Sequence, residues 1–321
     1  MKLPNYSDIV NAERRIRNYV STTPLQYSSS LSKLTGRDIY LKLECLSPIR
    51  VFKIRGAFSK LLSLGEERLR NGVITASSGN HGLAVAYAAK ILGVKAVICV
   101  PESVNKQKLE AIEEESAEVV KYGSNYDQVY EKAKEIASER GLEFVHAFDD
   151  PQVIAGQGTC GLEIAGQLKD LDAVIVPIGG GGLIAGISIA LKHQRKGCSV
   201  FGVQTESVPS MFLSLKRGKI LSVPPEKTIA DGMVALRPGK LTFKIVSKLV
   251  DRIFLVKDNQ IRKAVYTLLR KERILSEPSG ATPLAALLTN HLPEKSRKVV
   301  LVVSGGNIAL DLLEDIIHEN S

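Results

Sequence analysis

Asp172-Ala173-Val174-Ile175-Val176-Pro177-Ile178-Gly179-Gly180-Gly181-Gly182-Leu183-Ile184-Ala185-Gly186 decides how the rest of the chain is read. The β-branched run Asp172 to Ile178 predicts a buried strand, and Leu183 onward predicts a helix, so the four glycines fall on the turn between them. Glycine is entropically unfavourable in such a place unless the backbone must come close to something, and helix-terminal amides with no side chains in the way suit a phosphate. A merely flexible linker would not lie between a strand and a helix. The same residues also satisfy a dinucleotide fingerprint, Gly180, Gly182 and Ala185 with Glu206 about twenty residues onward, so a nicotinamide oxidoreductase stays open at this point.

Working outward, strand-sized runs at Asp38 to Leu43, Gly72 to Ala76, Ala96 to Val100, Glu118 to Tyr122, Ser199 to Gln204 and Val299 to Val303 alternate with stretches of helical apolar spacing. That alternation predicts an α/β fold with parallel-rich sheets. Several strands end in small residues, as at Ser77-Ser78-Gly79-Asn80 and Ser304-Gly305-Gly306-Asn307, and ligands of open α/β sheets bind at that carboxyl edge. Proline and acidic residues interrupt the pattern near Ser47-Pro48 and Asp149-Asp150-Pro151. The expected division is a small domain of residues 48–149 and a large domain of residues 1–47 plus 150–321, with a cleft between them.

Three further stretches carry chemistry. Lys53 in Ile49-Arg50-Val51-Phe52-Lys53-Ile54-Arg55 sits among apolar neighbours, where desolvation and the nearby Arg50 and Arg55 would lower its pKa and favour the neutral amine that captures an aldehyde. Ser77, Ser78, Gly79, Asn80 and His81 open the helix that follows the strand at Gly72 to Ala76. They gather backbone and side-chain donors suited to a carboxylate, the plainer reading being an ordinary N-cap. Ser304, at the end of the strongest apolar strand, can hydrogen-bond a neutral ring nitrogen or cap the helix predicted at Ile308 to Ile317.

Composition excludes several classes. The chain has 321 residues, 44% of them hydrophobic, which is enough for two cores, and its longest apolar runs are far too short to cross a bilayer. Cys45, Cys99, Cys160 and Cys198 form no Cys-x-x-Cys pair, arguing against a disulfide framework or zinc site and for a reducing cytoplasm. The formal charge of +9 is spread among interleaved Glu and Asp, so the expectation is a surface that attracts small anions, not a nucleic-acid or membrane partner.

Phe52-Lys53-Ile54-Arg55-Gly56-Ala57, Ser77 to Gly82, Gly179 to Leu183 and Ser304 to Asn307, in that order, resemble the threonine dehydratase and serine racemase group of fold-type II, tryptophan synthase β-like, pyridoxal phosphate enzymes. Ala155 to Thr159, Thr228 to Gly232 and Glu277 to Ala281 match the same group, so the resemblance spans nearly the whole chain. It implies pyridoxal 5'-phosphate as cofactor, bonded to Lys53 beside Phe52. Gly179, Gly180, Gly181, Gly182 and Leu183 would cradle its phosphate, Asn80 would meet the ring hydroxyl, and Ser304 the pyridine nitrogen, with Glu277 in the same set. Ser77, Ser78, Gly79, Asn80 and His81 would bind substrate, Ser78 standing where racemases place their opposite-face acid or base. The activity implied is β-elimination of water and then ammonia from L-threonine or L-serine, by a homo-oligomer. A serine at the ring nitrogen leaves the ring a weaker electron sink, suiting elimination over transamination. Racemases and β-replacement enzymes would share every cofactor residue.

Departures accompany the matches. Ile49-Arg50-Val51 stands where the group usually has Thr-Gly-Ser, which alters the surroundings of Lys53. Gln204 and Ser210 occupy positions where some relatives place acidic cation ligands, so no metal site is expected. The chain ends soon after Ser304, so no isoleucine-responsive regulatory domain is expected.

Overall fold

The computed structural model describes residues 2–290 and 292–320. Ten strands are found among them: β1 (Leu25–Tyr27), β2 (Asp38–Leu43), β3 (Val73–Ala76), β4 (Ala96–Val100), β5 (Glu118–Lys121), β6 (Glu143–Phe144), β7 (Ala173–Pro177), β8 (Ser199–Thr205), β9 (Arg252–Val256) and β10 (Lys298–Val303). They form a six-stranded sheet in the order β1-β2-β10-β7-β8-β9 and a four-stranded sheet in the order β5-β4-β3-β6. Every pairing is parallel except β1 with β2, where Leu25 faces Lys42 and Tyr27 faces Tyr40. The α/β architecture with parallel-rich sheets is therefore the one that the alternation predicted.

The strand β10 shows why its sequence is apolar without a break. Val299, Leu301 and Val303 pack into the core on one side of the large sheet, while Val300 and Val302 pack into the core on the other. A parallel strand covered by helices on both faces has no solvent side to alternate toward. The small sheet is covered the same way, Val73 and Ile98 facing one cluster and Ile74, Val97 and Cys99 the other.

Several boundaries differ from the sequence reading. Ser304 is not a helix cap, because the last helix begins at Leu310, and Gly305 is tied instead to Val51 by an isolated antiparallel bridge. β1, β6 and β9 lie outside the strands read from the sequence. The helix after β3 starts at Asn80, earlier than Leu83, with Gly79 as its N-cap and no side chain capping it.

One polar cluster lies deep in the structure. Arg55, 1% exposed, reaches both oxygens of Glu44 (Nε–Oε2 2.7 Å, Nη2–Oε1 2.8 Å) and both of Glu163 (Nη1–Oε1 2.6 Å, Nη2–Oε2 2.8 Å), and donates to Thr159. Lys42, buried too, joins through Glu163, Gln167 and the Thr23 carbonyl. Burial opposes the charge on Glu44, but the Arg55 guanidinium overrides it and holds the carboxyl below the usual carboxylate range. The cluster joins β2 and the residues after it to helix Lys53–Leu69 and helix Pro151–Gln167.

Removing one partner of such a cluster leaves the others charged and desolvated. Arg55→Ala is expected to cost about 3–5 kcal/mol, read as a shift in the unfolding transition of the purified protein. A loss under about 1 kcal/mol, the range of an exposed ion pair, would contradict a buried network.

Candidate active site

Parallel strands bring their carboxyl ends to one edge, and the cavity lies there. It is lined by Phe52, Lys53, Asn80, Ala147, Phe148, Gln157, Pro177, Gly179 to Leu183, Gly232, Met233, Glu277, Ser279 and Ser304. Pro177 and Ser304 end or directly follow the neighbouring strands β7 and β10, and Asn80 follows β3 of the other sheet. The structure thus gathers Phe52, Lys53, Asn80, Gly179, Gly180, Gly181, Gly182, Leu183, Glu277 and Ser304 around one space, although they are spread over some 250 residues of chain.

The glycine turn has no room for side chains. A Cβ on Gly180 would lie 2.4 Å from the Phe148 ring, one on Gly182 3.1 Å from the Phe148 Cβ, and one on Gly179 3.2 Å from the Met233 backbone. Gly181 adopts φ +94°, which residues with side chains rarely take. The turn opens helix Gly182–Gln194, whose first amides have no side-chain cap. A second segment holds the turn in place. His146 Nδ1 accepts from the amides of Phe148 (3.2 Å) and Asp149 (2.9 Å), turning the chain so that Phe148 covers the glycines. Asp149 in turn accepts from the amides of Lys240, Leu241 and Thr242, and the Thr242 hydroxyl donates to the Gly180 carbonyl at 2.7 Å.

Lys53 begins helix Lys53–Leu69 and its Nζ donates to the Ala147 carbonyl at 2.8 Å. Desolvation lowers its pKa to about 8, with the Glu277 carboxylate pulling the other way. The arginines expected to contribute do not: Arg50 is exposed, and Arg55 points into its own carboxylate cluster. Burial raises Glu277 to about 7, opposed by two hydrogen bonds from the Asn80 amide at 2.8 and 3.0 Å. Asn307 donates to Asn80 Oδ1 at 2.8 Å, so the Asn80 carboxamide is held on both sides.

The Ser77 to His81 turn is less uniform in chemistry than its sequence suggested. Ser77 Oγ accepts from the Gly79 amide, Ser78 is half-buried in the same turn, and the helix amides beyond Gly79 are left uncapped. His81 is buried and does not line the cavity; its Nε2 lies 3.1 Å from the Val145 carbonyl, an acceptor, so that nitrogen carries the proton. Burial and then the charge of Lys53 depress its pKa to about 3, and the ring is neutral with its N–H already engaged.

Sequence reasoning assigned no role to Ala147, Phe148, Gln157, Met233 and Ser279. Phe148 and Met233 carry no chemical signature, and only the fold brings them to the glycines. Gln157 and Ser279 lie in motifs already noticed, Ala155 to Thr159 and Glu277 to Ala281, which was the available signal. Gln204 and Ser210 lie elsewhere, Gln204 Oε1 accepting from the Phe212 amide and Ser210 Oγ donating to the Ala235 carbonyl. Glu206 stands exposed after β8, outside the cavity.

These residues fit pyridoxal phosphate: a cradle closed to any Cβ at a helix amino terminus for an anion, a desolvated amine for an aldehyde, and a neutral hydroxyl, Ser304, for a ring nitrogen. Comparison with known proteins agrees. Residues 16–305 match the family model described as pyridoxal-phosphate dependent enzyme. An L-threonine ammonia-lyase of Thermotoga maritima is 45% identical over 312 residues, covering 97% of this chain and 78% of that protein. The catabolic L-threonine dehydratase of Escherichia coli is 42% identical, covering 96% and 94%. Among solved structures, maize serine racemase superposes with a TM-score of 0.95 at 33% identity, covering 99% and 98%.

Two outcomes are expected from this geometry. Capture of pyridoxal phosphate by cofactor-stripped protein should accelerate as pH rises through about 8, where Lys53 loses its proton, not through the range of an ordinary lysine near 10.5; stopped-flow absorbance reads this. Gly180→Ala should weaken phosphate-dependent binding at least tenfold, about 1.4 kcal/mol, because Phe148 must give way; fluorescence titration with and without the phosphate group checks it.

Proposed function

The chain belongs to the family of pyridoxal-phosphate dependent enzymes, and within it we propose that this enzyme is a dehydratase, or ammonia-lyase, converting L-threonine or L-serine to the corresponding 2-oxo acid and ammonia. The observation that carries the reading is the desolvated Lys53 amine lining the same cavity as the glycine cradle. The threonine ammonia-lyase and dehydratase relatives, at 45% and 42% identity over nearly the whole chain, support the substrate class. The dinucleotide alternative falls with the family assignment.

Pyridoxal phosphate supplies, when bound, an aldehyde for amine capture and a conjugated ring that accepts the electron pair left by a departing α-proton. The chain's own residues do the rest. The glycine cradle would hold the phosphate through backbone amides, orienting the group without competing charge. Lys53, with a pKa of about 8, has an appreciable neutral fraction near neutral pH and so can take the α-proton onto Nζ. Ser304 offers a neutral hydroxyl where a carboxylate would hold a ring nitrogen protonated. The uncapped amides at Asn80 and beyond, with Ser77 and Ser78 in the same turn, would receive the substrate carboxylate. His81, its N–H bonded to Val145, would contribute by shaping that turn.

The proposal extends to a division into lobes of residues 48–149 and residues 1–47 plus 150–321. It is supported by the four-stranded sheet drawing all its strands from between residues 73 and 144. A reducing, cytoplasmic setting is supported by four free and buried cysteines. No helix among the described residues is long and apolar enough to cross a membrane. Assembly as a homo-oligomer rests on the resemblance alone.

Product analysis tests the activity. Purified holoenzyme given L-threonine should release 2-oxobutanoate and ammonia in equal amounts, with the rate lost at least a thousandfold, about 4 kcal/mol, in Lys53→Ala. Conversion of L-serine to D-serine faster than to pyruvate would favour a racemase, in which Ser78 serves the opposite face. Bound cofactor with neither product would contradict both.

A further inference from the structure

Most buried polar atoms of this protein have partners, as they must, since an unpaired hydroxyl away from water costs free energy. Ser279 Oγ is an exception. Ser279 is 3% exposed, lines the cavity, and its hydroxyl has no hydrogen-bond partner among the described residues. It sits in the first turn of helix Pro278–Thr289, where a serine hydroxyl commonly turns back to its own backbone, yet this one does not.

Its surroundings fix which end of the cavity it serves. The turn from Glu277 to Gly280 lies against the end of β10: the Glu277 amide donates to the Gly305 carbonyl at 3.0 Å, and a Cβ on Gly280 would be 2.7 Å from that same oxygen. Ser279 therefore belongs to the Ser304 end. On its other side Gly232 passes so close that a Cβ there would meet Ser279 Oγ at 2.9 Å and Glu277 Oε1 at 3.5 Å. Gly232 thus closes one side of the hydroxyl, and the residue that bears it lines the cavity.

We propose that Ser279 is a cofactor-contacting residue, its hydroxyl hydrogen-bonding the polar, nitrogen-bearing edge of the pyridoxal ring beside Ser304. This rests on the reading of the cavity as a pyridoxal phosphate site. Two neutral hydroxyls there would hold the ring in place without giving its nitrogen a proton, while the buried Glu277 carboxyl beside them is engaged by the Asn80 amide. The hydroxyl is then a group whose desolvation is compensated by the ligand and not by the fold.

That distinction gives the test. In Ser279→Ala the holoenzyme is expected to bind pyridoxal phosphate three- to tenfold more weakly, the size of one neutral hydrogen bond, measured by cofactor release on dilution, with a shifted visible absorption maximum. The same variant stripped of cofactor is expected to melt at the parent's temperature or above it, since a buried unpaired group has been removed. Ser279→Thr keeps the hydroxyl and is expected to bind within twofold of the parent. The proposal is overturned if Ser279→Ala binds cofactor as tightly as the parent, if its stripped form melts several degrees lower, or if Ser279→Thr binds as weakly as Ser279→Ala. A parent protein that takes up no pyridoxal phosphate would instead overturn the reading of the site itself.

Discussion

The guanidinium of Arg55 holds the site's framework together. Two residues after Lys53, on the same helix, it is clamped by Glu44 just after β2 and by Glu163 on helix Pro151–Gln167, with Lys42 closing the charge balance. A hydrophobic contact could hold these elements at a range of depths, whereas a bidentate ion pair fixes distance and orientation together. Buried ion pairs are seldom a net gain in stability over apolar residues of similar volume. What this one provides is placement: the first turn of the helix, and so Lys53, is set against the large sheet. Gly56, one residue on, lets the same helix meet Gln157, whose amide nitrogen would be 2.3 Å from any Cβ there.

From that placement the electrostatics of the site follow. Lys53 is desolvated by Phe52 and the chain around Ala147, and the carboxylate acting on it, Glu277, is itself buried and tied to Asn80. An amine with a pKa of about 8 is poised between holding and giving up a proton near neutrality, as a group that both captures an aldehyde and moves an α-proton needs to be. The nearby His81 stays neutral, so the turn that would receive the substrate carboxylate offers backbone amides and serine hydroxyls and no histidine cation. The phosphate end is governed by shape, with Phe148, Met233 and Thr242 holding a backbone that must stay bare.

Much of this was legible in the sequence because the fold's signals are local. A strand buried on both faces reads as a nearly unbroken apolar run, and β4, β7 and β10 are such runs; β9, Arg252 to Val256, carries the same signal more briefly. β1 and β6, three and two residues long, are defined by their neighbours and leave almost no trace. Within the site, glycines, a lysine in apolar company and a strand-end serine announce themselves. The direction of a side chain does not: sequence alone could not show that the His81 N–H is bonded to Val145, that Arg55 turns away from Lys53, or that Phe148 lies over Gly180. Nor could spacing distinguish the dinucleotide fingerprint at Gly180, Gly182 and Ala185 from a single-phosphate cradle, since both begin with a strand, a bare turn and a helix.

One desolvated lysine, lining the same cavity as the glycine cradle, is the group that would bond the cofactor. Borohydride reduction of the holoenzyme, followed by digestion and mass mapping, tests it most directly. One phosphopyridoxyl adduct is expected, on the peptide containing Lys53 and on no other lysine. An adduct spread over surface lysines, or confined to a different residue, would contradict it.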